Sequence, residues 1–574
     1  MNRRLWIVAG SLGLCFIVAA YFLTEKMILN REAYLAQRYT DVKFVTLMRE
    51  LIQKGVFNIN AEGTITADEV RLANCRLSKA TENRVRKHIR LLHRDGNLIA
   101  YDKRAASIAG PANTVEKIVV RGMILDRNGE ILAKSSLNEK NRVVGRVYPF
   151  GPIFLPVIGY DHPAYGRRNL EKILYPYLNG ERHEPIYGKT EDPFRKRVEG
   201  DSVTLTLDSR LQRKAYELMA GRRGAVVVLD IKTGDILVAV SLPAFDPAEQ
   251  NADKWLKAGR DSRNAPFENR AFAFRYPPGS AFKTVVAAAW LERQGKKQPF
   301  LHTVHCGGRN ERKFSISCLT VHGHTDLAKG LRESCNIYFS DIGVVMGPAV
   351  LAMAERLGFN SRLPLLPNLG PMDYGTVESQ AYRKQMNSND SRRFTALDFQ
   401  QNPKLIAQGA IGQTIIDATP LQMAIVAETI ANDGVVMQTQ LVKTIRTSRG
   451  AIIFEAKPEV LRRAMGASSA RTLKNIMETV MTQGTGRHVA GIYLENGVHT
   501  IAPVTTRAQR VRVGGKTGTA EVGKQNGLPH SWFIGFAPVE KPRVAVAVVA
   551  EHEGFGSLVA APVGMAIMAE ALNQ

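Results

Sequence analysis

The chain has 574 residues, of which 45% are hydrophobic and 23% charged. This ordinary globular composition excludes a wholly disordered, collagen-like or multi-span membrane protein and leaves room for two to four folded units. Five cysteines are too few for a disulfide scaffold at this length. The charge stands out: 77 Lys and Arg against 53 Asp and Glu give +24, which points to an anionic partner such as nucleic acid, anionic lipid or an acidic polymer. The surplus is shared between residues 1–200 and 201–574, and its short clusters at 84–88 and 195–197 read as solvated faces.

Residues 5–23 (LWIVAGSLGLCFIVAAYFL) carry no charge. As a helix rising ~1.5 Å per residue they span ~28 Å, enough to cross a bilayer core. Arg3 and Arg4 precede the run and place residues 1–4 in the cytoplasm, although Lys26 and Arg31 on the other side weaken the contrast. A cleavable signal peptide competes, with Val18-Ala19-Ala20 as its small-residue site. The run exceeds the ~7–15 residues of an h-region, so an uncleaved single-pass anchor is the expectation. Either way most of the chain is exported, and nucleic acid drops out as a partner.

Residues 24–115 read as a juxtamembrane helical module. A long amphipathic helix covers 25–56, and Thr66-Ala67-Asp68-Glu69 fits a capping box before a further helix. The order of helices and a short strand up to residue 104 resembles a winged helix, but its exported position argues against DNA. Residues 110–113 form a linker. Asn128-Gly129 between apolar runs marks a hairpin, and 141–200, rich in Pro, Gly and Tyr, read as irregular and extended. Composition changes near residue 201. Strands are predicted over 202–207, 224–230 and 235–241, with a helix at 209–220. A mostly helical block covers 281–480, interrupted at 363–402 by a surface insertion. Three more strands (512–521, 531–537, 543–551) and a helix (561–572) close the chain. Two early strands pairing with three late ones predict an α+β domain, 201–574, built on a five-stranded antiparallel sheet flanked by helices.

Three places carry chemistry. Pro277-Pro278-Gly279 breaks the chain before a helix, leaving Ser280 near its N-terminus, where free amides favour developing negative charge. Lys283 lies on the same face. A serine hydroxyl needs a base to become a nucleophile, and a lysine serves if burial or a neighbouring cation lowers its pKa. Ser334 and Asn336 stand two apart, which suits a loop or helix junction aiming a proton relay and an amide at one cleft. Gly514-Gly515-Lys516-Thr517-Gly518-Thr519 lies on a strand, where glycine admits a close backbone and Lys516, Thr517 and Thr519 offer donors to a carboxylate. Each block has an ordinary reading as a cap, a satisfied polar pair or an edge strand.

Together, in this order, S-x-x-K, S-x-N and K-T-G resemble the signature of penicillin-binding proteins and serine β-lactamases. Asn269-Arg270-Ala271, residues 419–424 and Asn432-Asp433-Gly434 extend the likeness. Arg121-Gly122, Asp126-Arg127-Asn128-Gly129 and residues 166–171 resemble the pedestal signature of the monofunctional class B proteins, so the resemblance covers 116–574. It implies the penicillin-binding-protein transpeptidase fold on an elongated, dimerisation-type pedestal at 116–200, and a D,D-transpeptidase that cross-links peptidoglycan stem peptides ending in D-Ala-D-Ala. The roles it implies are Ser280 as nucleophile, Lys283 as base, Ser334 as proton relay, Asn336 as substrate clamp, and Lys516 with Thr517, Gly518 and Thr519 as carboxylate site. The amides of Ser280 and Thr519 would form the oxyanion hole. It implies no cofactor, β-lactams as inhibitors, and a membrane-embedded lipid II polymerase and other wall-synthesis proteins as partners. A D,D-carboxypeptidase or β-lactamase using the same serine, or a non-catalytic β-lactam sensor or wall-assembly scaffold, is the alternative.

Cys306 and Cys318 flank a short polar segment among His302, His305, His322 and His324. A disulfide between the two, a zinc site of no standard finger spacing, and reduced buried thiols all remain open. Cys335 reads as a packing residue and no metal is expected.

Overall fold

The computed structural model describes residues 57–59, 65–67, 118–139, 142–181, 197–294, 301–310, 313–362, 379–387, 390–503, 509–522 and 527–574. The chain divides into two compact units, Met1–Glu116 and Lys117–Gln574. In the first unit Phe57–Ile59 pairs antiparallel with Ile65–Ala67. The expected helix start at Thr66 is therefore strand: in both segments the apolar residues Phe57, Ile59, Ile65 and Ala67 recur with a period of two rather than 3.6. The other readings on 1–115, including the anchor at 5–23, lie outside the described residues. Among the described residues no single helix is long and apolar enough to cross a membrane.

In the second unit the expected sheet is present. Its order is Ile236–Leu242, Gly224–Asp230, Val544–Ala550, His530–Ala537, Gly514–Ala520, and every neighbouring pair is antiparallel. Strand alternation divides the apolar side chains between two cores. Val227, Leu229, Ala545, Ala547 and Ile534 join one core with helices Lys283–Gln294 and Pro420–Ala431. Val226, Val228, Val546, Val548 and Phe533 join the other with Ser209–Leu218 and Ala560–Leu572. Pro420–Ala431 is buried on all sides, as its nearly continuous apolar sequence requires. Gly514–Ala520 is the sheet's edge strand, so its backbone has one side free to receive an extended peptide.

A second sheet revises three expectations. It has six strands in the order Ile452–Glu455, Val442–Arg446, Ser202–Leu205, Ile124–Leu125, Ile131–Leu137, Val143–Val147. Ser202–Leu205 thus pairs with Ile124–Leu125 and Val442–Arg446, although composition assigns it to the catalytic part. Residues 281–480 are not uniformly helical, because two strands of this sheet come from that block. Residues 141–200 are less irregular than expected, with a strand at Val143–Val147 and short helices at Leu155–Ile158, Asn169–Ile173 and Tyr175–Leu178. The 363–402 segment is also more than a surface insertion. In its described part Gln380–Ala381 pairs with Ile416–Asp417, and Ala381, Tyr382 and Phe394 are buried in the main core.

The motif residues at 121–129 and 166–171 have structural work. Glu171 is fully buried and receives Arg146 Nε at 2.7 Å and an Arg121 guanidinium nitrogen. Arg121 also bonds Asn179 Oδ1 at 2.7 Å and approaches Asp161 at 3.1 Å. Asp126 caps its own turn, accepting from the amides of Asn128 and Glu130 at 2.8 Å, and reaches Ser209 N at 3.0 Å. Asn128 Nδ2 donates to Asp208, the N-cap of Ser209–Leu218. The hairpin turn is thereby bolted to the first helix of the catalytic part.

Candidate active site

The nucleophile candidate sits on a forced turn. Pro278 has no amide hydrogen and Gly279 adopts φ +53°, so Gly279–Phe282 forms one 3-10 turn that runs into the helix Lys283–Gln294. A Cβ on Gly279 would stand 2.5 Å from Thr519 O, and one on Gly518 would stand 3.0 Å from Pro278 O. The turn therefore lies directly against the edge strand. The expectation that glycine there admits a substrate backbone is met differently at Gly518: it admits the turn carrying Ser280. Ser280 is half-buried, and among the described residues its hydroxyl makes no hydrogen bond.

Lys283 is fully buried. Its Nζ lies 2.7 Å from Ser334 O, 2.7 Å from Asn336 Oδ1 and 3.2 Å from Ser334 Oγ. Burial lowers its pKa to about 8. The two carbonyl oxygens take both N–H bonds of the neutral amine, which leaves its lone pair for a hydroxyl proton. Lys516, also fully buried, donates to Ser334 Oγ at 3.0 Å and to Thr517 O at 2.8 Å. Burial, and then the Lys283 charge, push its pKa well down. Ser334 Oγ thus bridges the two lysines.

Ser334 adopts φ +58° between helices Leu327–Arg332 and Asn336–Met346. The expected helix junction is therefore a left-handed kink, and it turns the Ser334 carbonyl and hydroxyl toward Lys283. Asn336, at the first position of the second helix, donates Nδ2 to Ser317 O at 3.0 Å, which sets its carbonyl end toward Lys283. Lys283, Ser334, Asn336 and Lys516 thus converge from three separate segments, one of which carries Ser280 on the turn just before Lys283. Thr517 is buried, and Thr519 is half-buried one strand period further on.

Two contributors escape the sequence reading. Thr485 Oγ1 lies 2.7 Å from Thr517 Oγ1, held on a Gly484-Thr485-Gly486 turn that follows the helix Ala467–Thr482. The paired glycines were its only signal. Gly412, at φ +76°, accepts the Gly279 amide at 3.0 Å, and a Cβ there would stand 2.0 Å from Gly279 O. Gly412→Ala is expected to displace the Ser280 turn. Slower labelling of Ser280 by an acylating probe together with a lower melting temperature would show it, and an unchanged labelling rate would refute it.

Of the readings left open for Cys306 and Cys318, the disulfide is not formed. Cys306, Cys318 and Cys335 are all free and buried. Cys318 lies 3.7 Å from Cys335 and accepts the Asn336 amide at 3.1 Å. Cys335 is thus more than packing, since its thiol hydrogen-bonds Cys318 and holds that thiol well below its usual pKa. A groove of about 840 Å³ among Asn128, Asp208, Arg213 and Glu570 contains none of the converging residues.

Residues 224–569 match the family model described as the penicillin binding protein transpeptidase domain, more than half of the chain. This chain belongs to the penicillin-binding protein transpeptidase family. Residues 121–203 of this penicillin-binding protein match the penicillin binding protein A dimerisation domain. It is 32% identical to the peptidoglycan D,D-transpeptidase PbpA of Mycolicibacterium smegmatis, over 79% of this chain and 89% of that one. It is 25% identical to the peptidoglycan D,D-transpeptidase MrdA of Acinetobacter baumannii, over 98% and 86%. Among solved structures, the ceftriaxone acyl-enzyme complex of penicillin-binding protein A from M. tuberculosis aligns with a TM-score of 0.64 at 29% identity, covering 80% of this chain and 99% of that one.

Proposed function

We propose that this penicillin-binding protein is a serine D,D-transpeptidase that cross-links peptidoglycan stem peptides. The observation that carries the reading is the convergence of Lys283, Ser334, Asn336 and Lys516 at 2.7–3.2 Å beside the turn bearing Ser280. Relatives named as peptidoglycan D,D-transpeptidases support it.

In this reading Ser280 Oγ attacks the penultimate D-alanine carbonyl and its proton passes to the Lys283 lone pair. The oxyanion rests on the amides of Ser280 and Thr519, where one such donor is typically worth ~10²–10³ in rate. Ser334, between the two lysines, delivers the proton to the leaving D-alanine amine. Asn336 orients the donor peptide. Thr517 and Thr519 hold the terminal carboxylate, backed by Lys516. An amine of a second stem then takes the acyl group and restores Ser280. The edge strand Gly514–Ala520 gives the extended stem a backbone to pair with. A β-lactam acylates the same serine. A D,D-carboxypeptidase or β-lactamase would deacylate with water instead.

We place residues 1–4 in the cytoplasm, the anchor at 5–23, a juxtamembrane module at 24–115, the pedestal at 116–200 and the transpeptidase domain beyond it. The protein then stands on the outer face of the cytoplasmic membrane beside a lipid II polymerase. Protease accessibility of the ectodomain on intact spheroplasts tests this topology.

Intact-protein mass spectrometry after benzylpenicillin is expected to show one stable adduct on the wild type and none on Ser280→Ala. An adduct retained by folded Ser280→Ala would sink the assignment. Steady turnover of the β-lactam by the wild type would favour the β-lactamase alternative.

A further inference from the structure

The acyl-transfer chemistry gives Thr517 and Thr519 the terminal carboxylate and leaves Thr485 unused. Thr485 Oγ1 lies 2.7 Å from Thr517 Oγ1. The half-buried hydroxyl of one segment thus meets the buried side chain of another. We propose that Thr485 is a positioning residue that commits the Thr517 hydroxyl to donating, and that it thereby sets the preference for substrates ending in a free carboxylate. The proposal rests on the reading of Thr517 as part of the carboxylate site.

A threonine hydroxyl carries one hydrogen and two lone pairs. If Thr517 directed its hydrogen at Thr485, it would turn only lone pairs to the cleft and repel a carboxylate. If Thr485 donates instead, the Thr517 hydrogen is free for the anion, and each bond polarises the next. A carboxylate accepts and cannot donate, so its arrival selects the second arrangement. A hydrogen bond to an ionised acceptor is also about twice as strong as one between neutral groups. Fixing one hydrogen therefore discriminates an acid from the matching ester. Lys516 favours the same anion from the neighbouring position, with its Nζ tied to Thr517 O at 2.8 Å.

The backbone around Thr485 holds that hydroxyl in place. Gly484-Thr485-Gly486 closes the helix Ala467–Thr482: Gly484 N donates to Thr479 O at 3.0 Å, and Gly486 N donates to Val480 O at 2.9 Å. Thr485 N donates to Arg332 O at 3.2 Å, two residues before Ser334. Close contacts demand the two glycines. A Cβ on Gly484 would stand 2.2 Å from Arg332 O, and one on Gly486 would stand 2.6 Å from Met481 Sδ. A Cβ on Gly515 would stand 2.9 Å from the same sulfur, so the end of the helix also packs against the edge strand. Thr485 is thus fixed to the Ser334 junction through its amide and to the K-T-G strand through its hydroxyl. The carboxylate donor and the proton relay are held in register by a residue that belongs to neither motif, and such support from packed backbone is what keeps a site in its productive geometry.

The test uses full-length protein in detergent and two acylating probes, benzylpenicillin and its methyl ester. The readout is the ratio of their second-order acylation rate constants, acid over ester. Thr485→Val keeps the branched shape and loses the hydroxyl. It is expected to lower the ratio ~2–10-fold, the range for one neutral hydrogen bond. Thr485→Ser is expected to restore the ratio, and Thr485→Ala gives the same readout as valine if the valine variant does not fold. Thr485→Val combined with Thr517→Val is expected to show the ratio of Thr517→Val alone, because the first hydroxyl acts through the second. A purely structural role would slow both probes alike. A folded Thr485→Val protein with the wild-type ratio therefore overturns the proposal, as do additive effects of the two substitutions. The underlying reading fails separately. A wild-type ratio in Thr517→Val removes Thr517 from the carboxylate site and the proposal with it, whereas a ratio lowered in Thr517→Val but not in Thr485→Val removes the proposal alone.

Discussion

Lys283→Met lowers the rate of penicillin acylation by ~10²–10⁴-fold, the range typical for removal of a positioned general base, while the protein stays folded. Methionine keeps the length and apolar stem of a side chain that is fully buried, so its cavity stays filled. What disappears is a basic atom that touches both Ser334 and Asn336. Some loss also comes from the freed carbonyls of Ser334 and Asn336, which no longer have a donor. The pH profile separates the two effects. Burial lowers the Lys283 pKa to about 8, and only the neutral amine can accept the serine proton. Wild-type acylation should therefore rise with pH through about 8 and fall below it, with about a tenth of the enzyme active at pH 7. The residual rate of Lys283→Met should not follow that curve. Stopped-flow acylation across pH 6–9 measures both, and a variant that keeps the wild-type profile would remove Lys283 as the base.

Glu171→Gln destabilises the protein by ~3–5 kcal/mol, the usual consequence of removing one partner from a buried ion pair. Glu171 is fully buried between Arg121 and Arg146, and both arginines are nearly so. Glutamine fits the space but carries no charge. Arg146 then keeps no carboxylate partner among the described residues, and Arg121 keeps Asp161 at 3.1 Å. The denaturation midpoint should fall clearly, whereas penicillin acylation of the folded protein at low temperature should be unchanged, because Glu171 touches none of the converging residues. Equal stability of Glu171→Gln and wild type in urea would show that the network contributes no net stability. Slowed acylation with unchanged stability would instead tie the pedestal to the active site.

Much of the catalytic sheet was legible because strand alternation and hairpin turns are local. The runs at 224–230 and 531–537 read as strands from their apolar and β-branched content, and each matches the structure to within a residue. The strands at Val442–Arg446 and Ile452–Glu455 escaped because they are short and mix charged with apolar residues, and because the pair joins its sheet only where Val442–Arg446 meets Ser202–Leu205, far away in sequence. Thr66 failed in the opposite direction. A capping pattern competed there with a two-residue period, and strand pairing prevailed.

The candidate reacting groups Ser280, Lys283, Ser334, Asn336 and Lys516 were legible in the sequence, since they stand in ordered blocks that together resemble a family signature. Tertiary structure decided what controls them. Gly412 matters because a backbone carbonyl passes where its side chain would be, and Thr485 because its hydroxyl meets Thr517 across a gap of 32 residues. Cys306, Cys318, His322 and Cys335 come within 4.8 Å of one another only because a hairpin folds onto a helix N-terminus. Close approach between distant segments is set by packing the whole core, and no local period or spacing records it.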